Sequence, residues 1–166
     1  MPRAQDAYAQ LIELEMNTVL SVAKTIDPAK YYKQWGEEKA HPLWLLGHIA
    51  NTNNLLINKW CCEGTSLMPK KWREKFSPNF GGGVAPRPDA DFYPSWDEVV
   101  EAYTAVTQYC VDTMPTLSYE VFVGPMRGGA PERIQERFKT VDNAIRIVTL
   151  HSAYHRGQMS MINFQD

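Results

Sequence analysis

The chain is poor in the residues that announce several common functions. It has three cysteines, Cys61, Cys62 and Cys110, an odd number with two of them adjacent. That pattern argues against a disulfide framework and for a reducing, cytoplasmic setting. Its longest apolar run falls far short of the roughly 20 residues a membrane-spanning helix needs. The opening Met1-Pro2-Arg3-Ala4-Gln5-Asp6 has no apolar h-region of a secretory signal. No block of like charge occurs: 17 basic and 19 acidic residues are interspersed. Neither a nucleic acid nor a membrane surface is therefore expected as a partner. Gly81-Gly82-Gly83 lacks the Lys and Ser/Thr of a phosphate loop and reads as a flexible turn.

What is present is an ordinary apolar share, 44% of 166 residues. That suffices for one domain, residues 1–166, with a core that needs no staples. The hydrophobic pattern predicts four long helices. The first, about 6–26, carries Tyr8, Ile12, Val19, Val22 and Ile26 on one face, interrupted by Glu15, and ends at Asp27-Pro28. The second starts at Pro42 and continues to about Trp60, with Cys61 to Gly64 ending it. The third opens on the capping box Ser95-Trp96-Asp97-Glu98 and runs to about Met114 before Pro115. Cys110 lies on its apolar stripe and reads as core. The fourth spans about 141–162. Two irregular stretches separate them, about 65–93 and 116–139. The first carries Trp72, Phe76, Phe80 and Phe92, so it is expected to pack down. In the second, Val121-Phe122-Val123 reads as a short extended piece.

Polar residues interrupt the inward face of the fourth helix. His151 and His155 are one helical turn apart, so two imidazoles can reach one metal ion. Gln158 follows on the same face. Of the two other histidines, His48 lies among apolar residues in Leu45-Leu46-Gly47-His48-Ile49-Ala50. Gly47 beside it leaves room for another helix to approach closely. His41 precedes Pro42 at the expected N-cap, where it should face solvent, so His48 is the better third ligand. Taken singly, each histidine also fits a hydrogen-bonded packing role. Cys61-Cys62 reads as a buried helix end rather than a redox pair, and Arg156 as ion-paired or solvated rather than anion-binding.

The run His151-Ser152-Ala153-Tyr154-His155-Arg156-Gly157-Gln158 resembles the HxxxHRGQ motif of the DinB-like (YfiT-like) metalloenzyme superfamily. That family is unrelated to the lesion-bypass polymerase of similar name. Trp44-Leu45-Leu46-Gly47-His48-Ile49-Ala50 is similar to its helix-two motif, and Tyr93-Pro94-Ser95 also matches its members. The resemblance runs along nearly the whole chain. It implies an all-α four-helix bundle of up-down-down-up topology, with a long crossover loop between helices two and three, often as a homodimer. It also implies that His48, His151 and His155 bind a divalent transition metal: nickel or zinc first, iron or manganese next.

Three protein ligands leave coordination positions open, as in catalytic sites. The resemblance offers one well-defined chemistry, S-transfer or isomerisation with a low-molecular-weight thiol activated at the metal. The alternatives are a hydrolase using metal-bound water and a non-catalytic stress-response or scaffold protein that binds metal. Asn51 and Thr52, a turn beyond His48, and Gln158 are candidates to hydrogen-bond a ligand or metal water. No Asp or Glu lies within a turn of a ligand histidine on the same face, which favours a thiol that brings its own nucleophile. Glu74, Asp89 and Asp91 in the long loop remain available as bases.

Overall fold

The structure is a computed structural model that describes residues 3–78 and 82–165. Phe80 and Gly81, for which packing and a flexible turn are expected, lie outside the described residues. The architecture is all-helical, with seven α-helices and no strand among the described residues. Four helices are long: α1 (Ala4–Thr25), α2 (Pro42–Thr52), α4 (Trp96–Thr113) and α7 (Val141–Asn163). Three are short: α3 (Arg73–Phe76), α5 (Tyr119–Val123) and α6 (Glu132–Phe138). No helix among the described residues is long and apolar enough to cross a membrane.

Helix α1 packs against α4 and α7, and α2 packs against the same two. Specific contacts give the chain directions. The Asn163 side chain near the end of α7 bonds the backbone at Thr25 and Asp27, so α1 and α7 run side by side in one direction. Gln5 at the start of α1 donates to the Leu117 carbonyl beyond α4, so those two helices run oppositely. Tyr31, whose carbonyl accepts from the Leu43 N–H at the start of α2, stacks on Trp96 at the start of α4, and Asn53 bonds Thr107 a few turns later. Helices α2 and α4 thus run in the same direction, which requires a long connection.

That connection is more ordered than its composition implies. Residues 70–72 form a 3₁₀ turn leading into α3, and Trp72 and Phe76 are buried. Phe92 is held between cations, with Lys75 and Arg87 over its ring. The second connection also corrects the sequence reading. Val121-Phe122-Val123 is helical, not extended, because Ser118 caps the turn and Phe122 docks edge-on against Tyr8, 5.1 Å between centroids. A local cap and a buried aromatic outweigh the weak β preference of two valines.

Helix α2 is apolar on all sides and buried at every residue from Pro42 to Asn51. Leu43, Leu45, Leu46 and Ile49 have no exposed surface. Each such side chain contributes roughly 1.5–3 kcal/mol relative to exposure. After Thr52 the helix widens into a π-helical segment, Asn53–Lys59, with Asn53, Asn54 and Asn58 buried. Asn54 accepts from the Leu67 N–H and Asn58 donates to the Thr65 carbonyl, so these side chains pin the chain that leaves the helix. π-Segments often lie at functional sites.

His41 caps α2 as expected, accepting from the Trp44 N–H. It does not face solvent: the ring is fully buried against Tyr93. Besides the Trp44 N–H, Nδ1 faces the Tyr31 carbonyl at 3.0 Å, and Nε2 faces the Arg87 carbonyl at 3.1 Å. The crossover segment has folded over the cap, which its sequence position alone does not reveal.

Candidate metal centre

Two helices meet at the site. His151 and His155 come from α7 and His48 from α2. His151 Nε2 lies 3.2 Å from His48 Nε2 and 3.0 Å from His155 Nε2. Two nitrogens bound to one ion at about 2.0–2.1 Å stand about 3 Å apart when their bonds are near right angles. The three histidines form a group that could hold a metal ion.

The proton positions agree with that role. His48 Nδ1 faces the Phe76 carbonyl at 2.8 Å, and a carbonyl only accepts, so Nδ1 carries the hydrogen and Nε2 presents a lone pair. His155 Nδ1 likewise donates to Gln158 Oε1 at 2.6 Å, and Gln158 is held in turn by donating to Tyr154 Oη. This is the support that metal-binding histidines ordinarily have. Two bare lone pairs therefore converge on His151 Nε2, whose single possible proton cannot serve both fully. A cation satisfies all three nitrogens. His151 Nδ1 is buried without a partner among the described residues.

Burial pushes the His48 imidazole down to about 4, opposed by its bond to Phe76, and His155 adds a smaller lowering. Burial, the two neighbouring imidazoles and the charge of Arg137 push His151 down to about 3. Burial also lowers His155, while its bond to Gln158 opposes the shift. All three shifts favour the neutral imidazole, the form that binds metal.

Phe76 explains the residue before His48. A Cβ on Gly47 would fall 2.2 Å from the Phe76 ring. The close approach that Gly47 permits is therefore made by short α3, not by a long helix. It brings the Phe76 carbonyl to His48. Trp44, one turn earlier, stacks on the His48 ring at 4.6 Å and 12° and fixes its plane.

The other residues singled out in the sequence separate clearly. Gln158 touches His155. Asn51 donates to Ser77 Oγ, and neither Asn51 nor Thr52 bonds a ligand histidine; both line the cavity beside them. Glu15, the gap in the α1 stripe, pairs with Arg156 at 3.0 Å, so each resolves the other. Cys61 and Cys110 are fully buried. Burial pushes the Cys62 thiol up to about 12 and raises Cys61 and Cys110 too. None of these thiols is a ready nucleophile at neutral pH.

His48 and His151 open onto a cavity of about 470 Å³, within the ordinary range of small-molecule sites. Its walls come from α2, α3, α6 and α7 and are mostly apolar. No carboxylate lines it among the described residues; Glu74, Asp89 and Asp91 are exposed elsewhere. Three arginines do line it, Arg73 from α3 and Arg133 and Arg137 from α6, and sequence reasoning missed them because both segments read as irregular chain. The run Glu132-Arg133-Ile134-Gln135-Glu136-Arg137-Phe138 has good helix formers throughout. That was the available signal.

A search of curated proteins finds no match. The family model described as the DinB superfamily matches residues 11–159, which include His48, His151 and His155. The chain belongs to the DinB superfamily.

Proposed function

We propose that the protein is a metal-dependent S-transferase that joins a low-molecular-weight thiol to a small electrophile. His48, His151 and His155 hold the ion, nickel or zinc before iron or manganese, since neutral imidazoles suit all of these. When bound, the ion lowers the pKa of a coordinated thiol, making a nucleophile at neutral pH. Phe76 and Gln158 keep the ligand rings aimed. The apolar walls exclude water from the reacting sulfur. In the transfer the sulfur lone pair forms an S–C bond, the leaving group departs with the electrons of the broken C–X bond, and the thiol proton passes to solvent.

The observation that carries this reading is the convergence of three imidazole nitrogens at a cavity with no carboxylate on its described walls. Activation of water for hydrolysis is helped by a nearby base, so hydrolysis ranks second. We propose further that the protein acts in the cytoplasm as a homodimer. Large exposed apolar side chains on α1 and α7, Leu11, Leu14, Leu150, Tyr154 and Met161, support a partner there.

The test is metal content by elemental mass spectrometry, followed by conjugation of monochlorobimane in the presence of glutathione, bacillithiol or mycothiol. The expected result is about one equivalent of metal, as a single three-histidine site requires, and conjugation that chelation abolishes. The His151→Ala and His155→Ala variants should lose both and keep their helicity. A parent that takes up no nickel or zinc would overturn the metal site. A loaded parent that accelerates conjugation with none of the thiols would overturn the transferase.

A further inference from the structure

The cavity is not neutral. Arg133 and Arg137 are one turn apart on α6, so both present their charge on one face. Arg73 adds a third guanidinium from α3. Like charges one helical turn apart are mildly unfavourable unless something answers them. No acidic group on the described chain does: the ion pairs of the described residues engage Arg3, Arg87, Arg127, Arg146 and Arg156, and none of these three, which are exposed to solvent, with Arg137 over the Phe138 ring at 5.4 Å. Glu132 and Glu136 stand beside them in sequence without pairing to them. The guanidinium groups and the histidines share this cavity with apolar wall residues that include Leu56, Trp60, Phe138 and Val148.

The placement of α6 is itself specified. Arg127 N–H donates to the Trp60 carbonyl at 2.6 Å and its guanidinium pairs with Glu63 at 2.7 Å. Gly128, at φ +58°, lies so close to Lys59 that a Cβ would meet its carbonyl at 2.1 Å. Lys139, at φ 63°, then reverses the chain from α6 into α7. The loop is thus fastened to the end of the second helix, and α6 holds its arginines at the cavity.

We propose that the cavity takes a small organic acid, its carboxylate held by Arg133 and Arg137 with Arg73 beside them, and its compact apolar body laid along the wall toward His48 and His151. Guanidinium groups match carboxylate oxygens in a planar fork, which a lysine pair does not. This deepens the S-transferase reading and rests on it in one respect: the acid is the thiol or the electrophile of that reaction.

Binding tests the inference without turnover. Naphthalene-2-carboxylate and its neutral amide are titrated into metal-loaded and chelated protein, with affinity read by ligand fluorescence. The carboxylate should bind about tenfold more tightly than the amide, as charge-assisted hydrogen bonds are worth. The Arg133→Gln/Arg137→Gln variant should lose that preference while keeping its helicity and metal content, and Arg133→Lys/Arg137→Lys should recover part of it. Equal binding of acid and amide, binding of neither, or a preference that survives the glutamine variant would overturn the proposal. Inorganic phosphate competing as well as the naphthoate would overturn the apolar half of it. A preference found in chelated protein stands even if metal-dependent conjugation fails, so the two readings fail separately.

Discussion

His48 donates from Nδ1 to the main-chain carbonyl of Phe76 at 2.8 Å, across 28 residues of sequence. The bond ties the second long helix to the crossover and sets which imidazole nitrogen faces the other two histidines. It exists because Gly47 lets the Phe76 ring rest on the helix backbone.

Gly47→Ala should therefore damage fold and site together. The new methyl cannot share space with a fully buried ring, and overpacking of this kind costs about 1–3 kcal/mol. Urea unfolding should show that loss, and zinc retention against a chelator should weaken in the folded protein. Unchanged stability would mean that Phe76 moves aside at no cost.

Gln158→Ala should separate the two effects. The residue is partly buried near the end of α7 and supports His155 through one bond. Loss of such a partner lowers metal affinity by about 10–100-fold, while stability should change by less than about 1 kcal/mol. Competition with a chromogenic chelator measures the first and thermal unfolding the second. Unaltered zinc affinity would show that Tyr154 and Gln158 do not position the ligand.

The buried cap His41 makes a pH prediction. Burial holds its folded value at about 4, opposed by hydrogen bonding to backbone carbonyls, against an ordinary value near 6.5. Between those limits the unfolded chain binds a proton that the native chain refuses. Its contribution is complete above about pH 6.5 and is lost as pH falls toward 4, a span worth a few kcal/mol at most. In metal-free protein the other three histidines act in the same sense. His41→Asn, which preserves the cap, should give a shallower fall of unfolding free energy over that range than the parent. Parallel slopes would show that His41 accepts its proton in place.

The homodimer predicts a concentration-dependent mass in sedimentation equilibrium. Leu14→Asp combined with Leu150→Asp should give a monomer with unchanged helicity, because both side chains are more than half exposed and serve no core. A parent that sediments as a monomer at all concentrations would remove the proposal.

The four long helices and the all-helical class were legible in the sequence because periodicity and caps are local. Ser95 and Glu98 close their capping box within one turn, and the spacing of His151 and His155 makes them neighbours on any α-helix. Even the odd residue on α1 was visible, though only as an interruption until Arg156 met Glu15. Less local matters were not readable. The π-segment after Thr52, the burial of His41, the helical form of residues 121–123 and the ordering of α3 and α6 all depend on what packs against them. So does the site beyond its histidine pair. Sequence alone could nominate His48, but its distance to His151, the Phe76 carbonyl behind it and the arginines over the cavity are set by helices from distant parts of the chain. Side-chain type and spacing decide which groups lie on a helix face; only the packing of helix on helix decides which faces meet, because that choice is made by shape and burial summed over the whole core.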